Sequence, residues 1–117
     1  MEKNHTQKIR YNHKFDFRIK QEEFCFRLQE ILDLIEDYDK DLNINKFKKL
    51  KRYYLNDLKP YATKGITADY RKLLVELDKK FLLMEILKTE KELHELNNYI
   101  FEKINNLREK LIDIIFY

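Results

Sequence analysis

The feature that most constrains this chain is its last fifty-one residues, Thr67 to Tyr117, which contain neither Gly nor Pro. Apolar side chains recur there at helical spacing: Tyr70, Leu73, Leu77, Phe81, Met84 and Leu87 keep a 3-4 step. After a polar gap the step resumes at Leu93, Leu96, Ile100, Ile104, Leu107, Leu111 and Ile114. An apolar residue every three or four positions keeps one stripe on a helix of 3.6 residues per turn. The pattern predicts one long amphipathic, coiled-coil-like helix over 67–116. The gap Lys88–Glu92 reads either as a stutter inside that helix or as a break near Thr89, whose Thr-x-x-Glu spacing to Glu92 fits a capping box. Continuity is the favoured expectation, because no Gly or Pro marks a stop.

Two shorter stripes lie upstream. Phe24, Leu28, Ile31, Ile35 and Tyr38 step by 4, 3, 4, 3, which predicts a helix over 20–38. Phe47, Leu50, Tyr54 and Leu58 predict another over 45–59, with Asn43 or Asn45 as its N-cap. Pro60 ends it, because proline pushes the residue before it out of the α region. The loop that follows holds Gly65, the one residue free to take a positive φ. With a single Gly and a single Pro in 117 residues, there is little turn material for a sheet. The fold class expected is all-α: a three- or four-helix bundle in one domain over 1–117, with a 20–59 two-helix segment and a long C-terminal helix over 67–117.

Residues 1–19 are expected as a basic N-terminal arm; six bases face two acids over the first twenty positions. Phe15, Phe17 and Ile19 alternate with period two, as in a short strand, but three alternations are few and a lead-in tucked against the bundle is the favoured reading. Charge then changes sign twice. Residues 21–42 carry eight acids against Arg27 and Lys40, and residues 43–72 carry nine bases against Asp57 and Asp69. On the second helix Lys48, Lys49, Arg52 and Lys59 fall opposite the apolar stripe, with Tyr53 on its flank. These five are the candidate binding residues, for an acidic protein partner or for nucleic-acid phosphates. Ile100, Ile104, Leu107 and Leu111 are the candidate self-association residues. Val75, Leu82, Ile86 and Leu93 add a second apolar stripe that needs cover of its own.

Chemistry is sparse. His5, His13 and His94 stand at no metal-ligand spacing, serine is absent, and there is no Gly-rich phosphate loop. The lone Cys25, between Phe24 and Phe26, is expected as a buried, inert thiol with no disulfide or metal partner. Acidic pairs (Glu30/Asp33, Glu36/Asp39, Glu92/Glu95) have the spacing that helical nucleotide pyrophosphatases use for magnesium, but not that family's order. Residues Ala62 to Leu73 resemble a helix-turn-helix in outline. The Ala-to-Gly interval is one residue short, however, and Pro60 falls where the first helix should still run.

No catalytic residues, metal or cofactor are therefore expected, and the chain is read as non-enzymatic. The function this favours is a small protein-binding module, an adaptor or inhibitor that docks a helical surface onto another protein, and a homodimer is also expected. Its size and Lys/Asn/Ile/Tyr bias suit a phage or mobile-element protein. The alternative is a nucleic-acid-binding regulator using the basic helix 45–59 and the basic arm. With no apolar leader at the amino terminus and no run approaching the ~18 apolar residues of a membrane span, the expected location is the cytoplasm, or a host's cytoplasm, away from membranes.

Overall fold

The computed structural model describes residues 2–61, 66–86 and 89–116, with side chains from Lys20 onward. Every described element is helical: α1 (Glu2–Asp41), α2 (Ile44–Tyr53) running into a π-helical turn (Tyr54–Leu58), α3 (Thr67–Ile86) and α4 (Glu90–Phe116). No described helix is long and apolar enough to cross a membrane. The turn glycine and the middle of the helix-turn-helix outline lie outside the described residues.

The helices pack side by side as a bundle. Tyr38 of α1 meets Phe47 of α2, and Arg27 meets Asp57, so α2 runs back along α1. Asp39 near the end of α1 contacts His94 and Asn97 near the start of α4, so α4 is antiparallel to α1 as well. That pair makes the most extensive helix contact in the molecule. Tyr99–Glu76 and Lys110–Asp69 set α3 antiparallel to α4. The core is a continuous apolar cluster in which Phe24, Leu28, Leu50, Leu58, Ile104 and Leu111 are wholly buried. Phe24 and Tyr70 meet edge to face at 4.7 Å, and Tyr54 stacks on Phe81 at 4.7 Å, locking α3 onto the first two helices.

Three expectations change. Helix α1 begins at Glu2 and not near residue 20, so the Phe15–Ile19 alternation lies within a helix and forms no strand. Nothing in the first twenty residues is a Gly or Pro. A helix already nucleated by packing extends by one hydrogen bond per residue through such a stretch. The side chains of the basic arm lie outside the described residues.

The second change is at the C-terminal helix, which is two helices. Thr89 caps α4: its Oγ1 accepts the Glu92 N–H at 3.3 Å and donates to the Glu92 carboxylate at 2.6 Å. The capping-box reading therefore prevails over continuity. A side-chain cap satisfies the free amides at a helix start, so a chain can break without Gly or Pro. Thr89→Ala is expected to cost about 0.5–2 kcal/mol, seen as a lower melting temperature with the helical spectrum otherwise retained. An unchanged melting temperature would show that the break does not depend on this cap.

Third, Cys25 lies at the margin of the core and is only half-buried. Partial burial pushes its thiol pKa up, and the nearby Arg108 charge offsets only part of that.

Candidate functional site

The turn between α1 and α2 borders an apolar groove on the surface. Leu42 sits at φ 54°, the left-handed region that a branched side chain enters at a cost, and its N–H reaches the Tyr38 carbonyl at 2.8 Å. Asn43 then caps α2, its side-chain oxygen accepting the Asn45 N–H at 2.8 Å. The reversal is tight, so α2 starts directly beside the end of α1 and leaves Ile44 62 % exposed at the corner.

Below this corner runs a groove of about 580 Å³ between α2, the end of α1, the end of α3 and the start of α4. Its floor is Tyr38, Phe47 and Met84, with Leu42 and Leu93 half-buried along it. Ile44 and Leu55 (44 % exposed) stand on the α2 rim with Lys48, Arg52 and Asn56. Lys51 bonds to Glu85 and closes the wall between α2 and α3. An apolar floor with a basic edge takes apolar side chains below and carboxylates above.

The candidate binding residues divide. Lys48, Lys49 and Arg52 are exposed, and none forms an ion pair among the described residues. Lys59 does not belong with them: its ammonium bonds both oxygens of Asp78 on α3, at 3.0 and 2.9 Å. Tyr54 donates to the same carboxylate at 2.6 Å. Partial burial works to raise the Asp78 pKa, but these hydrogen bonds outweigh it and hold the carboxyl below its ordinary value. Tyr53 is turned toward α1. It is half-buried, its hydroxyl donates to the Arg27 carbonyl at 3.5 Å, and burial raises its pKa. Lys46, on the same helix, pairs with Asp37 at 3.2 Å and Asp41 at 3.0 Å, so part of the acidic–basic contrast between the first two helices is spent inside the fold.

No family model, curated protein or solved structure matches this chain.

The remaining candidates therefore rest on their placement. Ile100, Ile104, Leu107 and Leu111 are all buried in the chain's own core, at most 6 % exposed. In the intact bundle they face the chain's own core and not solvent. The stripe a helix offers a partner is the same kind of stripe it offers its own core, and α1 occupies this one. Of the acidic pairs, Asp39 accepts His94 Nδ1 at 2.7 Å and Asn97 Nδ2 at 2.9 Å, tying α1 to α4. Among the described residues no group of three His, Cys, Asp or Glu is arranged to hold a metal ion. The groove residues missed from sequence are Leu42, Ile44, Lys51, Leu55, Asn56 and Glu85. The only trace was that Ile44 and Leu55 are apolar yet lie off the 47-50-54-58 stripe.

Proposed function

We propose that the protein is a non-catalytic binding module whose groove receives an acidic amphipathic helix of another protein, as an adaptor or inhibitor would. The observation that carries this reading is the pairing of an open apolar floor with an unneutralised basic rim, Lys48 and Arg52 beside the exposed Ile44 and Leu55. An amphipathic helix presents apolar anchors at i, i+3/i+4 and i+7, which fit such a groove, while its acidic flank meets the cations. Nucleic acid fits less well. Lys46, Lys51 and Lys59 are each committed to a carboxylate within the chain, leaving Lys48, Lys49 and Arg52 as a short basic strip.

The test uses a designed ~18-residue helical peptide, leucine on one face and glutamate on the other, with its lysine counterpart and a DNA duplex as controls. The acidic peptide is expected to bind. The Lys48→Glu/Lys49→Glu/Arg52→Glu variant should lose that binding at least ~10-fold, while its stability stays within about 0.5 kcal/mol, since exposed positions rarely cost more. No binding by the acidic peptide, or equal binding by the variant, would overturn the reading. Duplex binding that falls steeply with salt and vanishes in the variant would put the nucleic-acid regulator in its place.

A further inference from the structure

Helix α1 is longer than anything it packs against. Its 40 residues make a rod of about 60 Å, which accounts for the 64 Å length of the molecule. Asp39 is level with His94 of the antiparallel α4, and Cys25 is near Arg108 in the same register. From that level α4 continues 22 residues to Phe116, whereas α1 reaches back 37 residues to Glu2. About fifteen residues of α1, roughly 22 Å of helix, therefore stand past the end of α4. The other helices reach no farther. Tyr61, beyond the end of α2, meets Arg27, and α3 starts one turn before Tyr70, which meets Phe24. A helix of this length with nothing to pack on is marginal in water.

Charge divides the same helix. Six bases face two acids over the first twenty residues, and eight acids face Arg27 and Lys40 over residues 21–42. Opposite the buried stripe, the acidic half carries Glu22, Phe26, Asp33 and Glu36 on one exposed line. Phe26 is 63 % exposed, and Asp33 and Glu36 form no ion pair among the described residues. The three-to-four spacing continues backward through Lys8, Tyr11, Phe15 and Arg18 in the basic half.

We propose that this line docks a second copy of the chain, the two α1 helices antiparallel about a two-fold axis crossing between Lys20 and Gln21. The projecting basic half of each copy then lies along the acidic half of the other. In that register Phe15 is opposite Phe26 and Lys8 opposite Asp33, and symmetry makes each contact twice. A parallel pair sets bases against bases, acids against acids and dipole alongside dipole. Nucleic acid matches only the basic half and is repelled by the acidic half beside it. The surface is separate from the groove, since none of Lys8, Phe26 and Asp33 lines it.

Sedimentation velocity of the full chain between ~5 and ~500 µM tests this. Mass should rise from monomer to dimer across that range. Phe26→Glu should stay monomeric, with the melting temperature of the wild-type monomer, because the position is exposed. Lys8→Glu and Asp33→Lys should each raise the dimerisation midpoint about tenfold, since each change is felt twice in the dimer. The double variant Lys8→Glu/Asp33→Lys should return it close to the wild-type value. A wild type that stays monomeric throughout overturns the proposal, as does a dimer that survives Phe26→Glu or a double variant no better than the single ones. A DNA duplex bound by a monomeric wild type and released by Lys8→Glu would assign the projecting helix to nucleic acid instead.

Discussion

Replacing Ile104 by alanine is expected to remove about 2–5 kcal/mol of a total stability of roughly 5–15 kcal/mol. Ile104 is 0 % exposed and belongs to the central apolar cluster, on the helix that makes the largest contact with α1. Truncation loses the transfer free energy of the deleted carbons and leaves a cavity that neighbours on two rigid helices cannot collapse into. Aspartate at this position buries a charge with no partner and should unfold the chain outright. Urea denaturation of Ile104→Ala supplies the measurement, with the midpoint followed at two protein concentrations. A loss below about 1 kcal/mol would mean that the α1–α4 seam is looser than its burial implies. A loss present only at high protein concentration would return Ile104 to a self-association role.

The second large effect is expected at Arg27, which ties three parts of the chain together. Its guanidinium donates to the Asp57 carbonyl at 2.9 Å and to the Tyr61 hydroxyl at 2.8 Å, and lies 3.8 Å from the centre of the Tyr61 ring. The Asp57 carbonyl belongs to the π-helical turn, where the Lys59 N–H reaches back five residues to the Tyr54 carbonyl at 2.8 Å. The wider turn brings both Tyr54 and Leu58 to the core and orients the Asp57 carbonyl so that the Arg27 side chain, 19 % exposed, caps it. Arg27→Met keeps most of the apolar stem but loses the charged donors, at an expected cost of about 2–3 kcal/mol. The ion pair to Glu23, one helical turn away, is at the surface and adds little. The buried Arg27 Nε has no hydrogen-bond partner, which already tempers what the residue contributes. Arg27→Lys should recover less than half of the loss, since an ammonium cannot serve two acceptors in the fork geometry of a guanidinium. Thermal melts of both variants, with amide exchange at Leu58, Lys59 and Tyr61 as the local readout, test this. A methionine variant as stable as the wild type would reduce the clasp to a surface contact.

Periodicity carried the reading of this protein as far as its physics allows. The stripes at 24-28-31-35-38 and 47-50-54-58 lie in the core, and the 93-to-114 stripe does so from Leu96 to Leu111, with Leu93 half-buried and Ile114 43 % exposed, because burial acts on single helix faces and leaves its trace every three to four residues. Local capping was legible too: Asn43 and the Thr89–Glu92 pair do what their side chains suit. The choice between a break and a stutter at Thr89 was not, because both are compatible with the same residues and differ only in how α3 and α4 pack. The partner of each stripe was equally hidden. Ile104 and Leu82 are both aliphatic members of stripes in the C-terminal fifty residues, yet one is wholly buried and the other 64 % exposed.

Charge shows the same division at finer grain. Lys48, Lys51 and Lys59 look alike along the sequence, and the count of bases on this helix is a property of the sequence alone. Which of them remain available is a tertiary matter: Lys51 and Lys59 reach Glu85 and Asp78, more than a dozen residues distant in the chain, while Lys48 faces water. The sequence by itself determined that the chain is helical, where its apolar faces lie and where two helices begin, since these follow from interactions within a few residues. The tertiary structure alone decided which apolar face is core, which cations are neutralised, and that Leu42, Ile44 and Leu55 frame a groove. Those outcomes depend on contacts between helices, and a one-dimensional pattern of period 3.6 does not say which helix will lie against which.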